Sequence, residues 1–355
     1  MSMAEADLTS ELVERVRDAA AGRTALRVRG GDSKRFYGRQ VEAEELDVSG
    51  HRGVLRYDPA ELVVTARAGT RLDETIELLA ASGQRLPFEP PQFAPSATLG
   101  GMVAAGLAGP ARASAGAVRD HLLGVRILTG DGRVLRFGGE VIKNVAGYDV
   151  ARIMAGSLGT LAVLLEVSLR VVPVPMGELT IRQEAAEDEA LRRLTEWTRM
   201  PLPLTASCWF DGVLTLRLEG SPAALARMHR QLGGTALDDG AAFWRSLREQ
   251  THACFDLQRP LWRLSLPPGT PALASAGVAL FEWNGMQRWC HGADREACRR
   301  IAAEHGGFAT GFRGVHGDAE VFEPLTPALS RLHASLKRVF DPERVLNPGR
   351  MYRDF

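Results

Sequence analysis

Short blocks of apolar residues alternate with polar and glycine-rich blocks along the first half of the chain. Apolar positions three and four residues apart predict amphipathic helices, whereas alternating or continuous apolar runs predict strands. The expected elements are helices over 8–20 and 70–83, strands over 24–29 and 62–67, and a glycine-rich loop followed by a long apolar strand within 153–172. Gly83 caps the second helix, and Pro173 and Pro175 end the last strand. This alternation predicts an α+β or α/β domain that ends near residue 175.

Turn residues divide the rest of the molecule further. HLLGVRILTGDGRVLRFGG (121–139) predicts a hairpin in which Asp131 and Gly132 form a tight type I′ turn. In the second half, three features recur 73 residues further on (211 to 284, 221 to 294, 233 to 306). They are a hairpin turn, a helix N-cap and a helix-ending glycine pair: Asp211-Gly212, Ser221 and Gly233-Gly234, then Asn284-Gly285, Asp294 and Gly306-Gly307.

A strand and a candidate helix precede each of these two hairpins, over 178–199 and, more weakly, over 262–277. The pattern predicts two related β-α-β-β-α halves that share one antiparallel sheet with helices on one face. Coincidence among common turn residues is the alternative explanation.

Composition and charge are those of an ordinary globular protein. The 355 residues are 45% hydrophobic and 24% charged, and 43 basic residues balance 43 acidic ones. A balanced charge gives no field that favours nucleic acid or an anionic membrane. The N-terminal segment lacks the apolar core of a signal peptide, and the longest aliphatic runs are too short to cross a bilayer. We therefore expect a cytoplasmic protein that reaches the inner face of the cell membrane only through partners.

The four cysteines, Cys208, Cys254, Cys290 and Cys298, form neither a CxxC pair nor a disulfide framework. Cys290, His291, Cys298 and His305 are close in sequence, but their spacing matches no zinc pattern. A helix over 295–305 also places Cys298 on its apolar face. We expect no metal site here.

Three glycine-rich segments in the first half are candidates for ligand contact. They are RVRGGDSKRFYG (27–38), PSATLGGMVAAGLAGPARASAGAVRD (95–120) and the start of MAGSLGTLAVLLEVSLRVVPVP (154–175). A run of backbone N–H groups in such a loop makes an anion-binding concavity, for which phosphate is a suitable guest. An ordinary strand-to-loop turn is the alternative at Gly30 and Gly31. Three such segments in one domain indicate an extended ligand with its anionic end at 30–34.

Several common motifs are absent from the sequence. There is no GxGxxG fingerprint, no GxxxxGK[ST] loop, no GxSxG elbow and no HExxH pair. Nicotinamide dehydrogenases of the usual type, nucleoside triphosphatases and hydrolases of those two routes are therefore disfavoured.

The glycine segments, the stretch from LTGDGRV to VVPVP (128–175) and the terminal FDPERVLNPGRMY together resemble the FAD-linked oxidases of the vanillyl-alcohol oxidase type, also called the p-cresol methylhydroxylase type. The likeness covers most of 20–175 and returns at 322–352. It implies an α+β fold with an FAD-binding domain of the p-cresol methylhydroxylase type at 1–175. An α+β cap domain with an antiparallel sheet would follow at 176–320, and a C-terminal segment, 321–355, would return to the FAD domain.

The resemblance also assigns cofactor residues. It implies a pyrophosphate loop at 29–34, a flavin-contacting segment at 98–102 with a turn at Gly106, an adenosine side at 156–159, and a returning tail at 347–349, for which a helix-ending turn is the alternative. The implied cofactor-binding residues are Arg29, Gly30, Gly31, Asp32, Ser33, Lys34, Thr98, Leu99, Gly100, Gly101, Met102, Gly106, Gly156, Ser157, Leu158, Gly159, Val163 (through its backbone) and Asn347. Covalent members use a His or Cys in or near these loops. Because this chain has Asp32 and Ser33 there, and His121 is the only nearby imidazole, noncovalent FAD is expected.

Within that family, FWRSLREQTHACF, LWRLSLPPG and FEWNGMQRW are similar to FAD-binding subunits of bacterial glycolate-oxidising complexes. The likeness implies oxidation of glycolate to glyoxylate at the level of the complex, with a catalytic FAD subunit and an iron–sulfur subunit as partners. The four cysteines lack ferredoxin-like spacing, so this chain does not itself carry the iron–sulfur relay.

The resemblance leaves the catalytic residues unknown. Catalytic sister subunits carry an HxGDGNxH-like histidine pair, whereas this chain has only VHGD at 315–318, and His333 lies on a predicted helix over 326–339. His316 and Tyr148 are the candidate bases, and Arg152, Arg263 and Arg313 are the arginines that could bind a carboxylate. Two alternatives stay open: a free-standing FAD oxidoreductase of another alcohol or hydroxy acid, and a non-catalytic scaffold of the same fold.

Overall fold

The computed structural model describes residues 5–139, 149–273, 277–292, 294–315 and 320–355. The helices are α1 Thr9–Gly22, α2 Leu72–Ala81, α3 Leu99–Ala105, α4 Arg112–Ala115, α5 Val118–His121, α6 Ala151–Met154, α7 Glu187–Trp197, α8 Pro222–Leu232, α9 Gly240–Arg248, α10 Arg295–Glu304 and α11 Pro327–Phe340. The strands are β1 Leu26–Arg29, β2 Glu44–Asp47, β3 Val54–Asp58, β4 Val63–Arg67, β5 Gln84–Arg85, β6 Leu122–Thr129, β7 Val134–Gly138, β8 Ala162–Arg170, β9 Val172–Pro173, β10 Glu178–Glu184, β11 Leu204–Phe210, β12 Val213–Glu219, β13 Thr235–Ala236, β14 Leu261–Ser265, β15 Val278–Glu282, β16 Gln287–His291 and β17 Phe308–Arg313. Both candidate bases, Tyr148 and His316, lie outside the described residues.

The chain forms two compact units. Unit 1 lies within residues 1–107, 117–174 and 324–355, and unit 2 lies within 108–116 and 175–323. Residues 108–116, which the sequence analysis assigned to the FAD-binding domain, thus belong to unit 2. The reason is local contact: the Trp283 indole N–H donates to the Gly109 carbonyl at 3.0 Å, and the Ser114 hydroxyl donates to the Thr205 carbonyl at 2.8 Å.

Unit 1 is built on a five-stranded antiparallel sheet in the order β3-β4-β8-β6-β7. Its middle strand, β8, is buried at every position but the last, which explains its uninterrupted apolar sequence. A parallel pair, β1-β2, stands apart from that sheet. One core cluster joins the two: Leu12 and Val16 of α1 and Leu26 of β1 pack with Val163 of β8 and with Leu346 near the C-terminus.

The predicted hairpin forms between β6 and β7, but its turn is not type I′. That turn requires positive φ at both central residues, and only Gly132 has it, at +80°. The chain instead closes a longer loop from Thr129 to Arg133. The Thr129 N–H donates to the Arg133 carbonyl at 3.0 Å, and the Thr129 hydroxyl accepts from the Arg133 N–H at 3.1 Å. The threonine side chain therefore selects the wider turn.

Unit 2 contains an eight-stranded antiparallel sheet among the described residues, in the order β13-β10-β12-β11-β15-β16-β14-β17. In the repeated pattern β10, β11, β12 and β13 of the first half correspond to β14, β15, β16 and β17 of the second. The two sets of strands stand in mirrored order about the contact between β11 and β15. Ser221 caps α8 by accepting from the Ala224 N–H at 3.3 Å, and Asp294 caps α10 by accepting from the Ala297 N–H at 3.3 Å. Both N-caps stand at the positions that the sequence indicates.

One predicted helix of unit 2 is wrong. The strand predicted at the start of 262–277 forms as β14, but the helix predicted after it does not, since residues 266–273 are not helical. Pro267, Pro268 and Pro271 lack the backbone N–H that a helix requires. Within the part of the chain that is described, no helix is both long enough and apolar enough to cross a bilayer.

Candidate functional site

The glycine-rich segments of unit 1 surround one cleft, which we call the unit-1 cleft. Two adjoining cavities of about 90 and 70 Å³ make it up. Its lining residues are Val28, Arg29, Gly30, Gly31, Asp32, Ser33, Lys34, Arg35, Thr98, Gly100, Gly101, Ala104, Ala105, Leu158, Gly159, Asn347 and Arg350, with Val48, Ala68, Ala162 and Leu164 on its apolar side. These volumes are smaller than the several hundred Å³ of an enclosed ligand site. The two cavities could therefore enclose only part of a large ligand.

The loop after β1 presents unused backbone donors to this cleft. Within the described residues, no hydrogen bond engages the N–H groups of Gly30, Gly31, Asp32 and Ser33. Asp32 has φ of +55°, a left-handed conformation of the kind that turns successive N–H groups into an anion-binding concavity. Gly30, Gly31 and Ser33 are half-buried and Asp32 is exposed, so these donors are accessible to water or to a ligand. A ligand with several acceptor oxygens would satisfy them.

The two glycines of this loop have a further reason to be glycine. A Cβ on Gly31 would lie 1.5 Å from the Ser96 carbonyl oxygen, and a Cβ on Gly30 would lie 2.5 Å from Thr98 Oγ1. The Ser96 hydroxyl donates to the Gly31 carbonyl at 2.6 Å. The glycines therefore allow the first two glycine-rich segments to pack against each other, which positions both at the cleft.

Helix α3 contributes the floor of the cleft near its N-terminus. Thr98 caps the helix by accepting from the Gly101 N–H at 3.2 Å. A Cβ on Gly100 would lie 2.5 Å from Ala68 Cβ, so Gly100 is required for packing against the end of β4. A Cβ on Gly101 would meet only Thr98 Oγ1, at 3.0 Å, and nothing else within 4 Å. Gly101 is thus the glycine whose missing side chain leaves cleft space open.

The third glycine-rich segment is held to α3 by its backbone. The Gly156 N–H donates to the Val103 carbonyl at 3.0 Å, and the Leu158 N–H donates to the Ala104 carbonyl at 2.9 Å. A Cβ on Gly106 would lie 2.9 Å from the Gly156 Cα. Close backbone packing here brings Leu158 and Gly159 to the cleft.

Asn347 joins the C-terminal tail to two of the segments. Its side-chain carbonyl accepts from the Val28 N–H at 2.9 Å, and its amide donates to the Leu158 carbonyl at 2.7 Å. Its own N–H donates to the Leu26 carbonyl at 2.8 Å. The side chain is only 3% exposed. Asn347 therefore fixes the strand and loop between which the cleft lies.

The arginines near the cleft differ in whether carboxylates pair with them. Arg27 pairs with Asp32 at 3.2 Å and with Glu45, and Arg29 pairs with Glu45 and Asp47. Arg350 instead donates to the carbonyls of Lys34, Arg35, Tyr37 and Arg39 at 3.0–3.4 Å. Burial lowers the pKa of Arg350 to about 10, although the nearby Asp32 carboxylate acts in the opposite direction.

Six of the residues that the family resemblance assigned to the cofactor are not among the described lining residues. Leu99, Met102 and Val163 are buried, and Val163 packs in the core cluster of unit 1. The Ser157 hydroxyl donates to the Met154 carbonyl at 2.9 Å. Gly106 and Gly156 are occupied with each other, as described above. These six residues pack against or bond to the segments that line the cleft, and do not line it themselves.

Among the described residues, the histidines that the sequence analysis singled out, and the arginines that it considered for carboxylate binding, do not line the unit-1 cleft. His121 is 2% exposed and packs beside Phe88. His333 contacts the rings of Tyr352 and Phe355, and burial lowers its pKa. Arg152 pairs with Asp149 at 2.8 Å.

The two remaining arginines belong to unit 2. Arg263 lies over the Phe312 ring, with 5.5 Å between guanidinium carbon and ring centroid. Arg313 donates to Gln250 at 2.6 Å, and burial lowers its pKa to about 10. No histidine lines the unit-1 cleft in the described part of the chain.

The clustered cysteines of unit 2 lie in its core. Cys290 and Cys298 are 0% and 2% exposed and pack with Trp262 and Ile301. A hydrogen bond to Cys298, together with burial, raises the pKa of Cys290. Among the described residues, no three His, Cys, Asp or Glu side chains come together as a metal-binding group.

Sequence reasoning missed part of the cleft. Arg35 and Arg350 line it, as do the small or apolar residues Val28, Val48, Ala68, Ala104, Ala105, Ala162 and Leu164. Two of these residues could have been found because they lie next to assigned segments: Arg350 directly follows the tail motif at 347–349, and Ala104 lies one helical turn after Gly100. Nothing local indicates that Ala68 or Leu164 would face a ligand.

Comparisons with known proteins show which proteins this chain is similar to. The model of the family described as "FAD binding domain" matches residues 3–138. The chain is 46% identical over 351 residues to the glycolate oxidase subunit GlcE of Escherichia coli strain K12, covering 99% of each chain. It is 30% identical over 128 residues to the glycolate oxidase subunit GlcD of Bacillus subtilis strain 168, covering 36% of this chain and 27% of that protein. Among solved structures, alkyldihydroxyacetonephosphate synthase shares the fold, with a TM-score of 0.66, 15% identity, and coverage of 96% of this chain and 74% of that one.

Proposed function

This chain belongs to the family of the glycolate oxidase subunit GlcE, and from that premise we propose that it binds FAD noncovalently in the unit-1 cleft as one subunit of a glycolate-oxidising complex. It is an FAD-dependent oxidoreductase subunit, and its cofactor is FAD. The proposal adds where FAD lies, how it is held and what the subunit does within the complex.

The observation that carries the placement is the loop after β1. Four consecutive backbone N–H groups, from Gly30 to Ser33, have no partner among the described residues at the mouth of a cleft. A diphosphate has enough acceptor oxygens to engage such a row. Near this loop, the space that a side chain at position 101 would fill is open, because residue 101 is glycine. A flat ring system needs such open space. The residues present therefore fit a flavin dinucleotide.

The chain's own contribution is binding and orientation. When bound, FAD supplies the acceptor for the hydride of a 2-hydroxy acid. Such an oxidation also needs a base for the hydroxyl proton and a cation for the carboxylate. The described lining of the cleft holds no histidine. We propose that a partner subunit supplies the base, so that the chain turns over glycolate only within the complex.

The partners follow from the same premise. The likeness to GlcD supports a catalytic FAD subunit of that type in a multi-subunit complex. We further propose an iron–sulfur subunit that passes electrons onward, contact with the inner face of the cell membrane only through these partners, and a cytoplasmic location. Unit 2 is assigned the role of the family's cap domain.

Noncovalent FAD is tested by acid precipitation of the purified chain. We expect a yellow protein whose colour moves into the supernatant, where chromatography and mass spectrometry identify FAD. Colour retained in the precipitate would contradict noncovalent binding. A colourless protein that does not take up added FAD would favour the scaffold function.

The division of labour is tested by anaerobic mixing with excess glycolate. We expect the flavin of the isolated chain to bleach very slowly or not at all, and to bleach rapidly once the GlcD-type subunit is added. A positioned base and an oriented substrate are each worth orders of magnitude in rate. Rapid bleaching by the isolated chain, abolished by His316→Ala, would instead make it an enzyme on its own.

A further inference from the structure

Arg350 occupies an unusual electrostatic position in unit 1. Its guanidinium is half-buried, and each of its hydrogen bonds among the described residues goes to a backbone carbonyl of the segment 34–39. No carboxylate of the described residues lies within 4.0 Å of it. A guanidinium removed from water without a counter-charge is costly. The lowered pKa of Arg350 expresses that cost.

The other cations at the cleft differ from Arg350. Arg27 and Arg29 each pair with carboxylates of β2 or of the loop, and the Arg35 guanidinium lies 3.9 Å from the Asp32 carboxylate. Lys34 donates to Ser33 Oγ and to the Gln92 carbonyl, both at 3.3 Å, and lies 5.6 Å from the Phe93 ring. Among the arginines that line this cleft, Arg350 is the one with no described carboxylate within 4.0 Å, although Asp32 acts on it from a greater distance.

The backbone of Arg350 is fixed in place. Its N–H donates to the Asn347 carbonyl at 3.2 Å, and its carbonyl accepts from the Arg39 N–H at 2.8 Å. A Cβ on Gly38 would lie 3.2 Å from the Arg350 carbonyl oxygen, so the two segments approach closely. A cation held this firmly loses little further entropy when an anion arrives.

We propose that Arg350 binds the diphosphate of FAD and provides the counter-charge that the loop from Gly30 to Ser33 lacks. This inference rests on the proposed function and adds to it a residue outside the glycine segments. A guanidinium has five N–H donors in a planar fork that suits phosphate oxygens. The carbonyls of the segment 34–39 engage donors of Nη1 and Nη2 only, which leaves the Nε–H for a phosphate oxygen. The backbone N–H groups of the loop and the Arg350 guanidinium would then share one anion.

The test measures the affinity of apoprotein, from which FAD has been removed, for three probes: FAD, ADP and riboflavin. FAD and ADP carry the diphosphate, and riboflavin does not. Charge-assisted hydrogen bonds are the strong ones, so Arg350→Gln should raise the Kd of FAD and of ADP by about ten- to hundredfold. Riboflavin affinity should not change. The matched control is Arg338→Gln, an exposed arginine of α11 that donates to Ser335 Oγ, for which all three Kd values should stay within twofold.

Salt and a conservative variant separate charge from structure. FAD affinity of the wild-type protein should fall as ionic strength rises, and Arg350→Gln should weaken that dependence because one cation is removed. Arg350→Lys keeps the charge without the fork, so it should keep the salt dependence and lose less affinity than Arg350→Gln. If Arg350→Gln weakens FAD, ADP and riboflavin equally and lowers the stability of the apoprotein in parallel, Arg350 only supports the segment 34–39, and the inference is wrong.

A measurement on the wild-type protein decides the matter if Arg350→Gln does not fold. Phenylglyoxal modifies arginine side chains, and peptide mass spectrometry gives the rate at each one. ADP should slow modification of Arg350 and leave that of Arg338 unchanged; an unchanged rate at Arg350 overturns the inference. Wild-type protein that binds neither FAD nor ADP would refute the proposed function and this inference together, whereas equal FAD affinity of wild type and Arg350→Gln would refute only the inference.

Discussion

Gly101→Val tests where FAD lies with the least disturbance of the fold. Gly101 lines both cavities of the unit-1 cleft, and a Cβ there has a single close neighbour, Thr98 Oγ1 at 3.0 Å. Its φ is outside the left-handed region, so valine adopts this backbone without strain. The two methyl groups of the new side chain would therefore occupy space that the proposal assigns to FAD.

The magnitudes separate binding from folding. Glycine is about 1 kcal/mol less favourable than alanine in a helix interior, and valine has a smaller penalty. This gain is offset if crowding weakens the cap between Thr98 Oγ1 and the Gly101 N–H, which is worth about 1 kcal/mol. The free energy of unfolding of the apoprotein should therefore change by less than about 1 kcal/mol. Overpacking of the cleft by FAD costs about 1–3 kcal/mol, which corresponds to a 5- to 150-fold increase in Kd.

The assay titrates apoprotein with FAD, following the quenching of flavin fluorescence, and measures urea unfolding of the same apoprotein. Gly220→Ala is the neutral control, because its Cβ would meet only Ala224 Cβ, at 3.9 Å, in unit 2. Gly100→Ala is the opposite control. Its Cβ would lie 2.5 Å from Ala68 Cβ, so it should destabilise the apoprotein itself.

The reasoning is refuted if Gly101→Val binds FAD within twofold of wild type while the apoprotein keeps its stability. The cleft beside α3 would then not be where FAD lies. A loss of FAD affinity that merely parallels a loss of apoprotein stability, as expected for Gly100→Ala, would also contradict it.

Three further predictions concern stability, each followed by urea denaturation of the apoprotein. Asn347→Asp removes the side-chain donor to a buried carbonyl and should lower the free energy of unfolding by about 1–3 kcal/mol; a change below about 0.5 kcal/mol would show that this bond does not fix the tail. Lys337→Met leaves the carboxylate of Asp341, 2.8 Å away and equally 0% exposed, without its cation, and should cost about 3–5 kcal/mol; an equally stable variant would show that the backbone donors of the carboxylate suffice. Hydrogen bonds from Thr9 lower the pKa of Asp7 from 3.8 to about 2, so its stabilising contribution is present above about pH 4 and is lost as the pH falls toward 2. Because Asp7 is half-exposed, Asp7→Asn should remove less than about 1 kcal/mol at pH 5 and clearly less at pH 2, where the carboxyl is partly protonated, and an equal effect at both values would exclude this origin.

The glycine segments show how a correct sequence signal can have more than one physical cause. Gly30 and Gly31 were selected because bare backbone suits an anion, and both line the cleft. The structure adds a steric requirement, since a Cβ on Gly31 would lie 1.5 Å from the Ser96 carbonyl oxygen. That requirement joins two segments 65 residues apart. No local pattern contains it.

Two predictions made from local sequence patterns are wrong: the turn type at Asp131-Gly132 and the helix within 262–277. Asp131-Gly132 indicated a type I′ turn, but the Thr129 hydroxyl bonds Arg133 and closes a wider loop. The pattern over 262–277 indicated a strand and then a helix, but only the strand, β14, forms, because Pro267, Pro268 and Pro271 lack the backbone N–H groups that a helix requires.

The sequence by itself predicted most of the elements and the glycine-rich loops that line the unit-1 cleft. Helix periodicity, turn residues and caps act over a few neighbouring residues, so they can be read in order along the chain. Only the tertiary structure decided which of those residues face the cleft, that Val163 and Met102 do not, and that Arg350 does. Arg350 meets the segment 34–39 across more than 300 positions of sequence, and such a contact depends on how α1, β8 and the C-terminal tail pack into one core. Packing of that kind is a property of the whole fold, so the residues that it brings together have no signature at their own positions.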